Sequence, residues 1–196
     1  MSPTGRPEGE YRSAQHEGTP VIRLLSCLIV LLAAALTGCA TLLPPAGRIE
    51  TTALTDTGGT LLGRAVAPSI AANPGKTGVH PLFDPRDAFA ARIAFAGAAQ
   101  KSLDLQYYIW HGDTVGNLMF EAAWRAADRG VRVRLLLDDH NTAGLDRGIA
   151  ALDAHPNIEV RLYNPHVHRG ARSLDFVTEF ARVNRRMHNK SFTVDK

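Results

Sequence analysis

The sequence predicts an α/β fold with a mainly parallel sheet and helices on both faces. Three observations lead to this prediction. Helix-like and strand-like segments alternate from residue 83 onward, and the run VRVRLLLDD at 131–139 becomes continuously apolar, as a buried parallel strand does. With 196 residues, of which 45% are hydrophobic, the chain is also long enough to bury the core of one domain.

The first predicted elements of this domain are a helix, a strand and a second helix. The segment DPRDAFAARIAFAGAAQKS has Asp84 in N-cap position and Pro85 at the first helical position, and Phe89 and Ile93 begin an apolar stripe at helical spacing. LDLQYYIW, at 103–110, alternates and is rich in aromatic residues, which indicates a strand. TVGNLMFEAAWRAADRG then reads as a helix that ends at Gly130.

The alternation continues to the end of the chain. A strand, a short helix, a second strand, a longer helical pattern and a final strand are predicted at 131–139, 146–154, 157–164, 173–184 and 187–195. Alternating strands and helices form βαβ units, and in such sheets ligands bind beyond the carboxyl ends of the strands.

The N-terminal region, 1–39, is predicted to be a polar leader followed by a lipoprotein-type signal peptide. Arg23 precedes an apolar run at 24–36, which suits a signal peptide and is short for a membrane span. The run ends in Leu-Thr-Gly-Cys, which resembles the lipobox of bacterial lipoproteins and makes Cys39 the expected lipidation site. A plain secretory signal, or an uncleaved anchor helix in which Cys39 is incidental, is the alternative. Cys27, within the run, is interpreted as a small hydrophobic residue.

This signal predicts a protein of the bacterial cell envelope that is anchored to a membrane and faces the periplasm. Ala40, the residue after the expected lipidation site, weakly favours sorting to the outer membrane, and the choice between inner and outer membrane stays open. Residues 40–82 are rich in Thr, Gly, Pro and Ala and are predicted to be a flexible tether, with the domain at 83–196.

Charge and cysteine content narrow the classes of partner. The net charge of +3 mildly favours anionic partners, but there is no dense basic surface interleaved with aromatic residues, so no nucleic acid partner is expected. Both cysteines precede residue 40, which excludes a disulfide or a cysteine-based metal site in the domain.

The strongest candidate site lies in MHNKSFTVD, at 187–195. Residues two apart in a strand point to the same face, so His188 and Lys190 are expected to project together. An imidazole can attack phosphorus or move a proton, and an ammonium can hold phosphoryl oxygens. Asp195 is a candidate to orient a partner or balance the positive charge. The alternative is an exposed edge strand whose charges are solvated.

Three other groups are weaker candidates. The turn Asp138-Asp139-His140 is suited either to a divalent metal or, as we expect, to capping of the turn and the next helix. His166 and His168 have the spacing of metal ligands, although a solvated loop is the favoured interpretation. The aromatic residues Tyr107, Tyr108 and Trp110 are expected to lie in the core rather than to form a stacking platform. Trp110 and His111, at the end of the strand, are also candidates to line a cleft.

MHNKSFTVD matches the His-x-Lys-x4-Asp signature of the phospholipase D superfamily. Together with LDLQYYIWHGD, RAADRGVRVRLLLDDHNTAGLD and LDAHPNIEVRLYNP, it makes the chain resemble bacterial cardiolipin synthases of the C type from about residue 80 onward. The resemblance implies phosphatidyl transfer between phospholipids through a phosphohistidine, without a metal or other cofactor. It makes His188 the nucleophile or the acid/base partner, Lys190 a phosphate ligand and Asp195 a supporting acid.

The resemblance also implies that more sequence is needed. Such enzymes build one active site from two motifs and continue beyond the motif aspartate into a strand and a Gly-Gly-x-Asn turn. The chain is therefore expected to be the C-terminally incomplete first half of a longer enzyme, with the second motif supplied by the missing half or by a dimer partner. A phosphodiesterase or nuclease of the same superfamily, or a non-catalytic lipoprotein fragment, is the alternative.

Overall fold

The computed structural model describes residues 20–36 and 50–196. Cys39 and most of the predicted leader lie outside the described residues, and their lipidation and cleavage stay predictions. The two described stretches belong to separate compact units, one within residues 1–41 and the other within 42–196.

In the first unit, the described residues form one helix, α1 (Pro20–Leu36). Cys27 lies in this helix as an exposed free thiol. Among the described residues, no helix combines the length and the apolar character that crossing a membrane requires.

The second unit contains four strands and six α-helices among its described residues. In chain order they are α2 (Leu61–Ala72), α3 (Pro85–Ala98), β1 (Ser102–Tyr107), α4 (Thr114–Asp128), β2 (Arg132–Asp138), α5 (Asp146–Asp153), β3 (Ile158–Tyr163), α6 (Asp175–Thr178), α7 (Phe180–Val183) and β4 (Lys190–Val194). Short 3-10 turns lie at Asp139–Asn141 and Arg172–Leu174.

The strands form one sheet in the order β3-β2-β1-β4. β1, β2 and β3 are parallel, and β4 pairs with β1 in the antiparallel direction. The predicted mixed α/β class with a mainly parallel sheet is confirmed. Because β4 is antiparallel, Lys190 at its start lies opposite Tyr107 at the carboxyl end of β1, which brings the beginning of β4 to the edge where ligands bind in such sheets.

The hydrophobic core lies on one face of this sheet. Side chains that alternate along β1 and β2 are almost fully buried there against α3, α4 and α5; they are Leu103, Leu105, Val133, Leu135 and Leu137. The intervening positions on the other face are polar: Arg134 forms an ion pair with Asp104 at 2.5 Å and donates to Thr51. Helices on both faces were predicted, but the described helices that supply the core cover one face, because charged residues alternate with apolar ones in these strands.

One predicted helix is confirmed at its N-terminus and one loop prediction is wrong. Asp84 caps α3, and its carboxylate accepts a hydrogen bond from the Arg86 N–H at 2.7 Å. Residues 61–72, predicted as part of a flexible tether, form α2 instead. Thr60 caps this helix, and its side chain accepts from the Gly63 N–H. The Gly, Thr and Ala content suggested a loop, but the capping residue and the apolar spacing of Leu62, Val66 and Ile70 favour a helix.

The predicted helix at 173–184 is broken into two short helices. Its backbone departs from helical geometry at Glu179, with φ −136° and ψ 34°. The apolar residues that suggested a continuous helix remain substantially exposed: Leu174, Phe176, Val177 and Phe180. Most of a helix's stability comes from packing an apolar face, so this segment lacks the contacts that would extend it.

Candidate active site

His188 and Lys190 form a cation and imidazole pair at the carboxyl edge of the sheet. The Lys190 Nζ lies 3.3 Å from His188 Nε2 and 3.3 Å from the His188 backbone oxygen. Both residues are exposed. The prediction that the two side chains project together therefore agrees with the geometry, and the pair is open to a ligand from solvent.

Tyr108 supplies an aromatic wall for this pair. Its ring centroid lies 4.9 Å from that of His188, and Lys190 Nζ lies 5.4 Å from the Tyr108 ring centroid. Tyr108 was predicted to be a core residue. It is instead partly exposed, because β1 ends at Tyr107 and the chain leaves the sheet there.

Asp195 lies at the opposite end of β4 from the imidazole. Five residue steps of extended chain separate it from Lys190, about 17 Å. Its carboxylate accepts hydrogen bonds from the backbone N–H groups of Gln100, Lys101 and Ser102 at 3.1, 2.7 and 3.1 Å. The structure does not bring Asp195 together with His188 or Lys190, so its carboxylate does not balance the positive charge there. It fixes β4 to the start of β1, and its role as a supporting acid stays a prediction.

The Asp195 carboxylate is held in its charged form by these contacts. Burial alone would raise the pKa of Asp195, but the hydrogen bonds from the N–H groups of Lys101, Ser102 and Gln100 outweigh burial and the pKa lies below its ordinary value.

Asp138 holds the segment that leads to His188. Its buried carboxylate accepts from the Met187 N–H at 2.8 Å, from Arg186 Nη1 at 3.0 Å and from the His140 N–H at 3.0 Å. The residue at the end of the central strand thus fixes the backbone next to the imidazole. The expectation that this acidic turn serves as a cap is confirmed, and the same carboxylate has the additional role of positioning the motif.

Two further buried carboxylates secure the loop after β3. Asp139 accepts from the His166 N–H at 2.7 Å and from Arg169 Nη1 at 2.8 Å. Asp175 lies 3.0 Å from His166 Nδ1 and 2.5 Å from His168 Nδ1. Burial alone would raise the pKa of Asp175, but hydrogen bonds from His168 and His166 outweigh it and lower the pKa.

The histidines of this loop differ from the prediction of a solvated loop. His166 is buried, whereas the His168 side chain is 46% exposed, and both are oriented by Asp175. His140 packs near His166, with ring centroids 6.1 Å apart. Burial, the charge of Arg186 and the neighbouring His166 lower the pKa of His140. The described residues contain no group of three or more His, Cys, Asp or Glu side chains placed to hold a metal ion.

Several known proteins with similar sequences are cardiolipin synthases, and two others are uncharacterised proteins of Helicobacter pylori that are 36% identical over 138 residues. The chain is 57% identical to cardiolipin synthase C of Escherichia coli K12 over 134 residues, which are 68% of this chain and 28% of that protein. It is 34% identical to cardiolipin synthase B of Shigella flexneri over 101 residues, 50% of this chain and 22% of that protein. The chain belongs to the phospholipase D superfamily, among its cardiolipin synthase-like members. No family model matches it.

The cardiolipin synthase-like region therefore spans less than a third of these relatives. Among solved structures, NucT from Helicobacter pylori is similar at 24% identity over 40% of this chain and 47% of that one, with a TM-score of 0.32. A similarity of that size decides nothing about the site.

Sequence reasoning missed several residues that build this phospholipase D motif into a site. Tyr108 was assigned to the core, Arg186 was not assigned to positioning the motif, and Asp175 was not assigned to fixing the loop after β3. The partners of Asp175 lie seven to nine residues before it, and Arg186 reaches an aspartate 48 residues away. Acidic residues in loops and a basic residue next to a motif are common in protein sequences, so this pattern could not have identified Asp175 and Arg186.

Proposed function

We propose that this chain supplies the nucleophilic half of a phosphatidyltransferase that makes cardiolipin. His188 is the nucleophile and Lys190 is the ligand of the phosphate. The observation that carries the proposal is the exposed His188 and Lys190 pair, whose side-chain nitrogens lie 3.3 Å apart at the carboxyl edge of the sheet. The identity to cardiolipin synthase C supports a phospholipid as the substrate.

In the first step, the lone pair of His188 Nε2 attacks the phosphorus of a phosphatidylglycerol. An N–P bond forms, the P–O bond to the headgroup glycerol breaks, and the leaving oxygen takes a proton from a general acid. Lys190, which faces Nε2 in the free site, moves its hydrogen bond to a phosphoryl oxygen and stabilises the charge that develops there.

In the second step, the hydroxyl of another phosphatidylglycerol attacks the same phosphorus. Its proton passes to the group that acted as acid, the N–P bond breaks and the imidazole is restored. Two phosphatidylglycerols give one cardiolipin and one glycerol, and no redox change occurs. The general acid would be the histidine of a second motif, from further sequence of a longer protein or from a second copy of this chain.

The membrane location belongs to the same proposal. Lipidation of Cys39 would hold the domain at the envelope membrane, on the periplasmic side, where its lipid substrates are concentrated. Labelling of bacterial cells with a radioactive fatty acid tests this: label on the wild type and on Cys27→Ala, and none on Cys39→Ala, is expected. Label that persists in Cys39→Ala contradicts the anchor.

Turnover of phosphatidylglycerol in vesicles tests the proposed reaction. Once a second motif is present, from a longer protein or from a second copy of this chain, the wild type and His80→Asn are expected to release glycerol and cardiolipin in equal amounts. His80→Asn changes an exposed histidine far along the sequence from the motif. His188→Asn lacks the nucleophile and is expected to release neither. Equal turnover by His188→Asn contradicts the assignment. A wild type that unfolds cooperatively and has a second motif present, but makes no product, favours the non-catalytic alternative.

A further inference from the structure

An apolar cavity lies beside the candidate site. It has a volume of about 300 Å³ and is formed by the start of α3, the end of β1, the loop that follows β1 and the start of α4. This volume is at the lower end of the range for small-ligand sites. Its apolar lining residues include Phe89, Ile109, Val115 and Met119, of which Ile109 and Val115 are also exposed to solvent.

The cavity and the phosphate-binding pair lie at the same end of the sheet. Tyr107 lines the cavity and is the direct cross-strand partner of Lys190. Residues that face each other across antiparallel strands have Cα atoms about 5 Å apart and point to the same face. A molecule whose phosphate rests on Lys190 can therefore extend an apolar part into this cavity.

One polar atom close to the cavity has no protein partner and is closed off from solvent. Trp110 is 5% exposed, and its indole Nε1 has no hydrogen-bond acceptor among the described residues. The ring is fixed in place, stacked on Phe120 with centroids 4.6 Å apart and edge-on to Tyr107 at 5.1 Å. A buried donor without an acceptor is costly, by about 1–3 kcal/mol. Because Nε1 is covered, Trp110 contributes the surface of its ring to the cavity lining and no hydrogen-bond donor.

The charged groups of the lining already have partners. The Asp113 carboxylate caps α4 and accepts from the Gly116 N–H at 2.8 Å. Arg92 donates to the Tyr107 hydroxyl at 3.1 Å and to the Ala88 backbone oxygen at 2.6 Å. The cavity thus offers a mainly apolar surface with the imidazole of His111 as a further polar group in its lining, which suits a hydrocarbon chain and does not suit a charged peptide.

We propose that this cavity binds one acyl chain of the phospholipid substrate. The inference rests on the proposed function, because the substrate's phosphate is placed at Lys190. The acyl-chain site would make the protein bind a lipid in preference to a soluble phosphodiester.

Fluorescence of Trp110 tests this site without any turnover. The probe is a short-chain, water-soluble phosphatidylglycerol that carries bromine on its acyl chains, used below its micelle concentration. The protein is the full chain with Trp124→Phe, which leaves Trp110 as its one tryptophan. Bromine quenches indole on contact, so saturable quenching is expected, and it is expected to persist when His188→Asn is added.

A pair of matched substitutions locates the quenching. Val115→Phe adds a ring to the cavity lining and is expected to raise the half-saturating lipid concentration about tenfold. Val177→Phe makes the same change at an exposed position on α6 and is expected to leave it unchanged. No saturable quenching, or equal quenching in both variants, overturns the acyl-chain site.

The two proposals fail separately. A chain that makes cardiolipin without quenching of Trp110 retains the proposed function and loses the acyl-chain site. Quenching that Val115→Phe weakens, in a chain with no turnover, retains the lipid site and removes the proposed reaction.

Discussion

At the residue scale, the three members of the His-x-Lys-x4-Asp motif divide between two ends of one strand. His188 and Lys190 lie at the edge where a ligand can enter, and Asp195 accepts three backbone hydrogen bonds at the other end. The spacing of the motif is thus a consequence of strand length. The aspartate fixes the strand that begins at Lys190, away from the His188 and Lys190 pair.

This division predicts that Asp195→Asn destabilises the fold. The amide presents one acceptor oxygen without charge in place of a carboxylate that accepts three N–H groups, so a loss of about 1–3 kcal/mol in the free energy of unfolding is expected. Urea unfolding at neutral pH measures it. The exposed Asp87→Asn is the matched control and is expected to change the free energy by about 0.5 kcal/mol or less.

The difference in the free energy of unfolding between wild type and Asp195→Asn depends on pH, because the pKa of Asp195 changes on folding. The pKa of Asp195 is lowered in the folded state, so its contribution is complete above the ordinary aspartate pKa of about 4 and is lost as the pH falls through the folded value. The difference between wild type and Asp195→Asn is therefore expected to shrink on acidification. A difference that stays constant into strong acid contradicts an ionised Asp195.

At the element scale, the end of β2 controls where the motif lies. The Asp138 carboxylate binds the Met187 N–H and the Arg186 side chain, so the central strand fixes the chain just before β4. The loop between β3 and β4 contains only short helices and has few buried apolar residues. Its position depends on buried carboxylates rather than on a core of its own.

Asp138→Asn is expected to release this segment locally. Hydrogen exchange at 184–190 should accelerate while the backbone of β1 and β2 keeps its protection, because the core beneath those strands is unchanged. Exchange followed by mass spectrometry resolves the two regions, and the exposed Asp128→Asn serves as the control. Unchanged exchange at 184–190 contradicts the positioning role of Asp138.

The start of α4 depends on a close backbone approach at Gly116. A Cβ atom at this position would lie 1.9 Å from the His111 backbone oxygen, whereas a Cβ at Gly97 in α3 would meet nothing within 4 Å. Gly116→Ala is therefore expected to destabilise the fold by more than about 2 kcal/mol. Gly97→Ala is expected to stabilise it by about 0.5–1 kcal/mol, since alanine favours a helix over glycine. Thermal unfolding measures both, and equal effects contradict the account.

At the scale of the whole molecule, the sequence predicted the order of helices and strands more reliably than the tertiary contacts that each of them makes. Capping by Asp84, the helices after β1 and β2 and all four strands follow from local patterns, which are set by periodicity and turn residues. The break at Glu179 and the burial of His166 depend on which distant residues meet. No local pattern encodes the contact of Asp139 with His166, because 27 residues separate them.

The candidate site shows the same division. The motif predicted that His188 and Lys190 lie together, as residues two apart in a strand do. They lie together even though β4 begins only at Lys190, because Asp138 fixes the backbone just before His188. It could not predict Tyr108 as their wall, because that depends on the residue where β1 ends. The position of Asp195 depends on the antiparallel register of β4 against β1, which the motif does not contain.

The most direct test of the account is the search for a phosphorus–nitrogen bond at His188. The full chain would be mixed with phosphatidylglycerol radiolabelled in its phosphate, quenched, digested and mapped by mass spectrometry. The account predicts label on the peptide that contains His188, its release by a second lipid's hydroxyl, and its absence in His188→Asn. Label on another residue, label that persists in His188→Asn, or no label on the wild type would contradict His188 as the nucleophile.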